Sequence, residues 1–401
     1  MDKKLNVKIK PIGLLDIIAF SKMVKKRTQK INAAKTTPII PSEVNKNALL
    51  LHPKTQFMKI SEIIPESPKV KTFVLRMSGG GSPAFFRAGQ YVSLRLRIGD
   101  SVFTRPYSIS SSPNDSLKGF YSISIKGTDE GFFSKWALDN WKEGDSIEVS
   151  SPEGNFYYEP IRDARFVTGI CGGSGVTPFL SMAKAIAEGE EDFNLTLLYG
   201  SCKECDILFK NEFERLEKLA NGKLKIVYVL SDEKKDNFEN GFITSTLIKK
   251  YSAKDSPYSV FICGPQAMYN FVSKEISSLN IPQKYVRREL FGEVKRIEMV
   301  NGYPVEHLNK FYQLKVNYFG GNTQIIANSN DSILVSLEKS GIIAPSKCRS
   351  GECGFCRSKL ISGEVFIVPD GDGRRAADKK LGFIHICSSY PISDLEIELP
   401  R

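Results

Sequence analysis

No stretch of this sequence approaches the ~20 consecutive apolar residues that a membrane-spanning helix needs. The one apolar run near the start, Ile12 to Phe20, is short and carries Asp16. No small-residue cleavage site follows it, which argues against a signal peptide. Cysteine is sparse and uneven, with eight in 401 residues and four of those within the last 54. That excludes a disulfide scaffold; the tight C-terminal spacing reads as a metal site, and a reducing cytoplasm is the expected compartment. There are no internal repeats and no low-complexity tract.

Positive charge is also scarce outside one segment. The net charge is +11, yet residues 1–36 carry ten Lys and Arg against Asp2 and Asp16, which leaves +3 for the other 365 residues. The body of the protein is nearly balanced, so the basic pI is no argument for nucleic-acid binding. With 41% apolar and 25% charged residues the chain has an ordinary globular composition. Its length suggests two or three domains.

Residues 1–55 form a distinct basic extension. Pro11–Ile31 reads as an amphipathic helix, with Leu14, Ile17, Phe20 and Val24 at helical spacing and lysines at the far end. The polar, Pro-containing stretch Thr36–Pro41 follows it. Residues 8–31 could lie on an anionic membrane surface, dock a partner protein, or form a solvated helix.

Three patterns follow. Residues 56–161 hold short alternating strands, Val70–Met77, Tyr91–Ile98, Phe120–Ile125 and Ser146–Val149, separated by turns such as Gly79-Gly80-Gly81 and Gly99-Asp100. That suggests a small antiparallel β-barrel. Residues 162–293 alternate strands with helices, which implies an α/β, doubly wound parallel sheet. Residues 294–310 read as a linker. From Phe311 to Arg401 the order is strand, turn, strand, helix, cysteine loop and final strand.

The cysteine loop carries the strongest chemistry. Cys348, Cys353 and Cys356 are spaced C-x4-C-x2-C, and Cys387 follows after 30 further residues. This is plant-type [2Fe–2S] spacing. Three thiolates on one tight loop suit a small cluster, and Gly351 and Gly354 let the backbone wrap closely. A zinc site would more often pair two short C-x2–4-C knuckles. The segment resembles a plant-type ferredoxin domain, a β-grasp fold. If the cluster reduces a partner, Arg349, Ser350 and Glu352 of its loop should be partly exposed.

Arg105-Pro106-Tyr107-Ser108 is placed just after a strand. It combines a forked cation for a phosphate, an aromatic that can stack and a small hydroxyl. Downstream come Ser122–Ile125 ending at Lys126, then Gly131-Phe132-Phe133-Ser134, where Gly and Ser could cradle a pyrophosphate at a helix start. Gly169 to Pro178 (GICGGSGVTP) follows a strand and opens a helix, with Thr177 as its cap and Pro178 at its first turn. Its glycines, Gly172, Gly173 and Gly175, let a pyrophosphate approach backbone N–H groups. Cys263-Gly264-Pro265 ends a later strand, where such sheets bind ligands. Cys202 and Cys205 form a C-x2-C read as two incidental thiols rather than a redox pair.

Together these motifs resemble the ferredoxin–NADP reductase superfamily over about 345 residues, in the three-domain form of oxygenase reductase components. The resemblance implies that Arg105, Pro106, Tyr107 and Ser108 meet the flavin ring and phosphate and that Ile125 lies beside the flavin. It implies that Gly131, Phe133 and Ser134 hold the pyrophosphate. The turn Glu153-Gly154-Asn155-Phe156 would close the barrel. Phe291 reads equally as an aromatic beside the flavin or as plain core. The candidate catalytic residues are Ser108, Thr177 and Cys263, the last two near the nicotinamide. FAD is favoured over FMN. Ser231-Asp232 stands where the family reads a 2′-phosphate, and its carboxylate favours NADH over NADPH, although Lys203, Lys234 and Lys235 are near in sequence. The implied activity is transfer of electrons from NADH through FAD and a [2Fe–2S] cluster to a partner redox protein. The alternatives are direct reduction of a small molecule at the flavin, and an electron-transfer subunit of a larger dehydrogenase complex.

Overall fold

A computed structural model describes residues 13–34, 42–99, 101–128, 131–294 and 296–400. Residues 8–12, with the Pro11 helix start, the Thr36–Pro41 stretch and Asp100 lie outside these. The chain divides into two compact units, residues 1–49 and 50–401. The first contains helix α1 (Leu14–Asn32) and most of α2 (Glu43–Leu51). Along α1, Phe20, Met23, Val24 and Ile31 are exposed. Among the described residues no helix is long and apolar enough to cross a membrane.

The second unit opens with six strands, β1 (Thr55–Ser67), β2 (Val70–Met77), β3 (Tyr91–Ile98), β4 (Ser101–Ser108), β5 (Phe120–Lys126) and β6 (Ser146–Ser150). They pair in the order β4-β3-β6-β1-β2-β5, with every ladder antiparallel. A bridge from Ile109 to Ile123 draws the two edges of the sheet together. Alternation along β3 and β5 sends Val92, Leu94, Ile123 and Ile125 into a core shared with Phe73, Phe86 and Tyr121. Two helices interrupt the strands, α3 (Pro113–Leu117) and α4 (Phe132–Asn140).

A second sheet comprises β7 (Phe166–Gly172), β8 (Asn194–Ser201), β9 (Leu224–Leu230), β10 (Glu239–Asn240), β11 (Tyr258–Cys263) and β12 (Val286–Glu289), in the order β10-β9-β8-β7-β11-β12. All its ladders are parallel. The crossovers carry α5 (Thr177–Ala187), α6 (Lys210–Leu219), α7 (Ser245–Tyr251) and α8 (Gln266–Ser277). Strands buried on both faces read as apolar runs, as in Val260–Cys263. The order reverses beside β7, so ligands are expected at the carboxyl ends of β7 and β11.

The third part holds β13 (Phe311–Tyr318), β14 (Gly321–Asn328), α9 (Ile333–Lys339), β15 (Arg357–Ser362), β16 (Val365–Ile367), α10 (Ala376–Lys380), β17 (Phe383–His385), β18 (Ser389–Pro391) and β19 (Leu395–Glu398). Its main sheet runs β14-β13-β19-β15-β17 and is mixed, because β13 pairs with β19 in parallel. Helix α9 packs across it through Ile333, Leu334 and Leu337. This is the arrangement expected of a β-grasp.

Residues 294–310 differ from a bare linker. Ile297 and Tyr303 are buried in a small core with Val368 and Tyr390, and the Tyr390 hydroxyl donates to the Val294 carbonyl at 3.1 Å. Apolar residues spaced irregularly over two short 3-10 turns carry no periodicity from which this packing is legible.

The barrel and the parallel sheet are locked by close backbone packing. Phe156 sets its ring against Phe179 of α5 and Phe261 of β11. Gly89, at φ +104°, has room for no side chain: a Cβ there would lie 2.1 Å from the Phe156 carbonyl oxygen and 2.5 Å from Met182 Cε. Gly89→Ala therefore combines a forbidden φ with overpacking, and it is expected to cost about 2–4 kcal/mol. Urea denaturation of the purified variant checks this, and an unshifted midpoint would show that the turn relaxes.

Candidate electron-transfer site

The cysteine loop joins α9 to β15, and Cys387 follows β17. Cys356 Sγ lies 3.2 Å from Cys387 Sγ, and the Cys353 N–H points at Cys348 Sγ at 3.4 Å. Hydrogen bonds from Cys353 and then Cys387 hold the Cys348 thiol well below the ordinary range. Cys348, Cys356 and Cys387 are buried and Cys353 is exposed. A two-iron cluster takes two protein ligands on each iron. Among the described residues no three or more His, Cys, Asp or Glu surround a single point, as one metal ion would require. The donor set thus fits a two-iron cluster. The expected glycine wrap is present: Gly351 has φ +83°, and a Cβ there would lie 1.9 Å from the Gly371 carbonyl. His385 Nδ1 hydrogen-bonds the Gly351 carbonyl at 2.5 Å.

The loop is not uniformly exposed, which corrects the sequence expectation. Arg349 is 1% and Ser350 6% exposed, whereas Glu352 and Phe355 face solvent. Arg349 takes φ +60°, and its guanidinium turns inward onto carboxylates.

Arg105, Pro106, Tyr107 and Ser108 are the last four residues of β4 itself, not a segment after a strand. The strand is hard to read from sequence because Pro106 interrupts it. It tolerates the proline because it is an edge strand. Arg105 Nη1 donates to the Thr104 carbonyl at 2.9 Å and to Glu338 Oε2 at 3.2 Å, so a ferredoxin-part carboxylate already holds the cation assigned to phosphate. Ser108 and Ile125 are buried, and the Tyr107 ring lies 5.9 Å from that of Phe133. Gly131 caps α4 from a position where a Cβ would strike Thr128 Oγ1 and Ser134 Oγ. Ser134 Oγ donates to the Gly131 carbonyl at 3.1 Å. Among the described residues no side chain caps the first amides of α4, which suits an anion there.

The glycine turn at the end of β7 forms one 3-10 turn, Gly173–Val176, before α5. A Cβ on Gly175 would lie 2.3 Å from the Cys263 carbonyl oxygen, and one on Gly172 2.9 Å from Met268 Sδ. The two strand ends therefore touch backbone to backbone. Gly173 takes φ +53°, with Lys126 Nζ of the barrel 3.6 Å from where its Cβ would be. Thr177 does not cap the helix: it is the first residue of α5, and its hydroxyl donates to the Ser174 carbonyl at 3.0 Å. The turn is already wound, so the hydroxyl ties it back instead of reaching forward. Cys263 pairs with Cys171 across the sheet, and burial pushes the Cys263 thiol well up. Pro265 caps α8. Ser231 Oγ donates to Asp232 Oδ1 at 2.7 Å, and the Ser231 amide to the Ser201 carbonyl at 3.0 Å. Of the nearby cations, Lys235 is paired with Glu204. Cys202 and Cys205 are free and exposed.

Three residues that sequence reasoning passed over join these pieces. Tyr91 of β3 stands opposite Ser108 in the ladder, bridges Glu153, and packs edge-on against Phe291 at 4.9 Å. Its ring lies under Gly154, where a Cβ would come within 2.8 Å. Glu289 stands opposite Cys263 at the end of β12 and is 6% exposed. Its Oε2 has no hydrogen-bond partner among the described residues. The Gly292 amide donates to the Cys348 carbonyl at 3.3 Å, which brings the Phe291 segment onto the cluster loop. Glu338 is the third. Only the adjacency of Glu289 and Gly292 to Phe291 could have flagged the first contacts.

Three families match consecutive parts of the chain. An oxidoreductase FAD-binding domain matches residues 58–158, an oxidoreductase NAD-binding domain 170–274, and a 2Fe-2S iron-sulfur cluster binding domain 317–391. The solved structure titled phthalate dioxygenase reductase, a modular structure for electron transfer from pyridine nucleotides to [2Fe–2S], covers 86% of this chain and 98% of its own. Its TM-score is 0.64 at 25% identity. The chain belongs to the ferredoxin–NADP reductase superfamily, in its three-domain form. Among the similar proteins are the glycine betaine monooxygenase reductase subunit of Chromohalobacter salexigens, 27% identical over 84% of this chain and 93% of that protein, and the ferredoxin reductase component of the Rhodococcus rhodochrous 3-ketosteroid-9-alpha-monooxygenase, 25% identical over 86% and 97%. This superfamily member is an NADH oxidoreductase with FAD and a [2Fe–2S] cluster as its carriers.

Burial, with Glu352 and Cys348 nearby, holds the Glu289 carboxyl well above the usual range. The unfolded carboxyl ionises near ~4.3, so above that pH the unfolded state binds fewer protons. Stability should then fall with rising pH, by up to about 1.4 kcal/mol per unit until the folded group ionises. Glu289→Gln cannot ionise. Melting curves of the variant between pH 5 and 8 should fall less steeply than those of the wild type; parallel curves would mean that Glu289 is charged in the fold.

Proposed function

We propose that this chain is the reductase component of a multicomponent oxygenase, taking hydride from NADH and delivering single electrons to a separate iron-containing protein. One observation carries the reading. The cluster loop is buried on the flavin side, through Arg349 and the Gly292–Cys348 bond, and open on the other side at Cys353 and Phe355. Input and exit are thus separate faces of one loop. The kinship with oxygenase reductases supports the identity of the acceptor.

The residue roles follow from the chemistry. Gly172, Gly173 and Gly175 would admit the dinucleotide pyrophosphate to the start of α5, with Gly264 and Pro265 forming the opposite wall. Thr177 and Cys263 would border the nicotinamide, and Asp232, hydrogen-bonded to Ser231, would favour a free ribose hydroxyl over a 2′-phosphate. Tyr107, Ser108 and Ile125 would line the flavin ring, with Ser108 offering a hydroxyl, and Phe291 would bound it through Tyr91. Gly131, Phe133 and Ser134 would hold the pyrophosphate, for which Arg105 has to share itself with Glu338. Cys348, Cys353, Cys356 and Cys387 would hold the cluster. A bound flavin supplies the chemistry the side chains lack: it accepts two electrons as hydride and returns them one at a time. We divide the body at 56–161, 162–293 and 311–401. The free state of all eight cysteines supports a cytoplasmic location. For the first unit, the exposed apolar residues of basic α1 support contact with an anionic surface, on a membrane or a partner protein.

An anaerobic titration with NADH, and in parallel NADPH, tests the wiring. A bleached flavin band followed by a rhombic EPR signal with NADH supports it. A bleached flavin with an EPR-silent cluster would favour direct reduction of a small molecule, and a stoichiometric partner on purification would favour a subunit of a larger complex. Cys353→Ser is expected to lose most reduction of one-electron acceptors while keeping NADH-driven bleaching of the flavin band. Equal loss of both would sink the proposed order of carriers.

A further inference from the structure

Arg349 is among the largest side chains fully withdrawn from solvent in this protein. Its Nη1 donates to Glu338 Oε1 at 2.7 Å and to the Thr104 carbonyl at 3.1 Å. Its Nη2 donates to Glu338 Oε2 at 2.9 Å and to Glu293 Oε1 at 2.7 Å. Glu338, on α9, also accepts from the Thr104 amide at 3.2 Å and from Arg105 Nη1. Two guanidinium groups thus face two carboxylates, and the buried charges balance.

An ion pair that served only to hold the ferredoxin part together would need Glu338 and Arg349 alone. Here the contacts continue onto Thr104 and Arg105 of the barrel and onto Glu293 between the parts. Thr104 lies on edge strand β4, whose outer amides and carbonyls would otherwise be open. The ferredoxin part caps both its N–H and its C=O. The next outward position on that strand is Pro106, which has no N–H to offer. Thr104 directly precedes the Arg105–Ser108 segment, and Arg349 directly follows the ligand Cys348.

We infer that Glu338 and Arg349 are positioning residues: they clasp the cluster loop to the outer edge of β4, and this fixed docking sets how fast electrons reach the cluster. The inference rests on the proposed order of carriers. It assigns neither residue a contact with a reacting atom. Transfer depends on placement, and small displacements of a positioned group cost rate steeply.

The test uses the holoprotein and two variants. Glu338→Gln removes the shared charge. Thr104→Pro deletes the barrel N–H on an edge strand, where proline is tolerated, and alters no ferredoxin residue. For each, stopped-flow absorbance follows bleaching of the flavin by NADH and the later reduction of the cluster. EPR records the reduced cluster, and small-angle X-ray scattering records the overall dimensions. The expected result is flavin bleaching within twofold of wild type, unchanged EPR g-values, cluster reduction at least tenfold slower and a larger radius of gyration. Wild-type cluster rates with unchanged dimensions in both variants would overturn the clasp. So would slow transfer with shifted g-values in both, since that would place the effect on the cluster itself. Should Glu338→Gln fail to load a cluster, Thr104→Pro decides alone. If wild type itself shows no NADH-driven cluster signal, the order of carriers fails, and the scattering comparison still decides whether the clasp exists.

Discussion

A guanidinium without water must be surrounded by acceptors, and at Arg349 those acceptors come from three parts of the chain. Glu338 lies on the ferredoxin helix, Glu293 at the end of the nicotinamide part, and the Thr104 carbonyl on the barrel edge. Because removing one partner from such a group strands a buried charge, the three parts are mutually committed. The left-handed backbone of Arg349 serves the same end, turning the side chain away from the surface that the rest of the loop presents.

The same economy governs the meeting point of the two sheets. Gly175 abuts the Cys263 carbonyl, Gly154 abuts the Tyr91 ring, and Gly89 abuts the Phe156 carbonyl. In each case a missing side chain lets backbone reach another element directly. Tyr91 then spans the gap between Ser108 and Phe291. On the proposed reading, this brings the flavin-lining strand, the nicotinamide strand ends and the cluster loop within one continuous patch of contacts.

How much of this was legible follows from sequence separation. The four cysteines declare themselves because three share one loop, and the glycine turn does so because strand, turn and helix are adjacent. The three domains and their fold classes were legible from periodicity and these local motifs. The barrel strand carrying Arg105 was obscured because a proline stands in it, which only its edge position explains. The Thr177 hydroxyl was assigned forward to the helix, while the 3-10 turn before it uses that hydroxyl backward. The Glu338–Arg105 pair spans 233 residues, and no spacing rule reaches that far. Glu289 carried no signal of its own, since burial alone makes its carboxyl unusual.

The packing of residues 294–310 bears on how such modules are exchanged. Ile297 and Tyr303 form their core with Val368 and Tyr390, and Glu293 holds Arg349. A chimera joined at residue 310 would carry the cluster but leave behind half of this core and one of the two buried counter-charges. The transplantable piece therefore begins near Glu293, and a foreign barrel that received it would also need an edge strand able to answer Glu338.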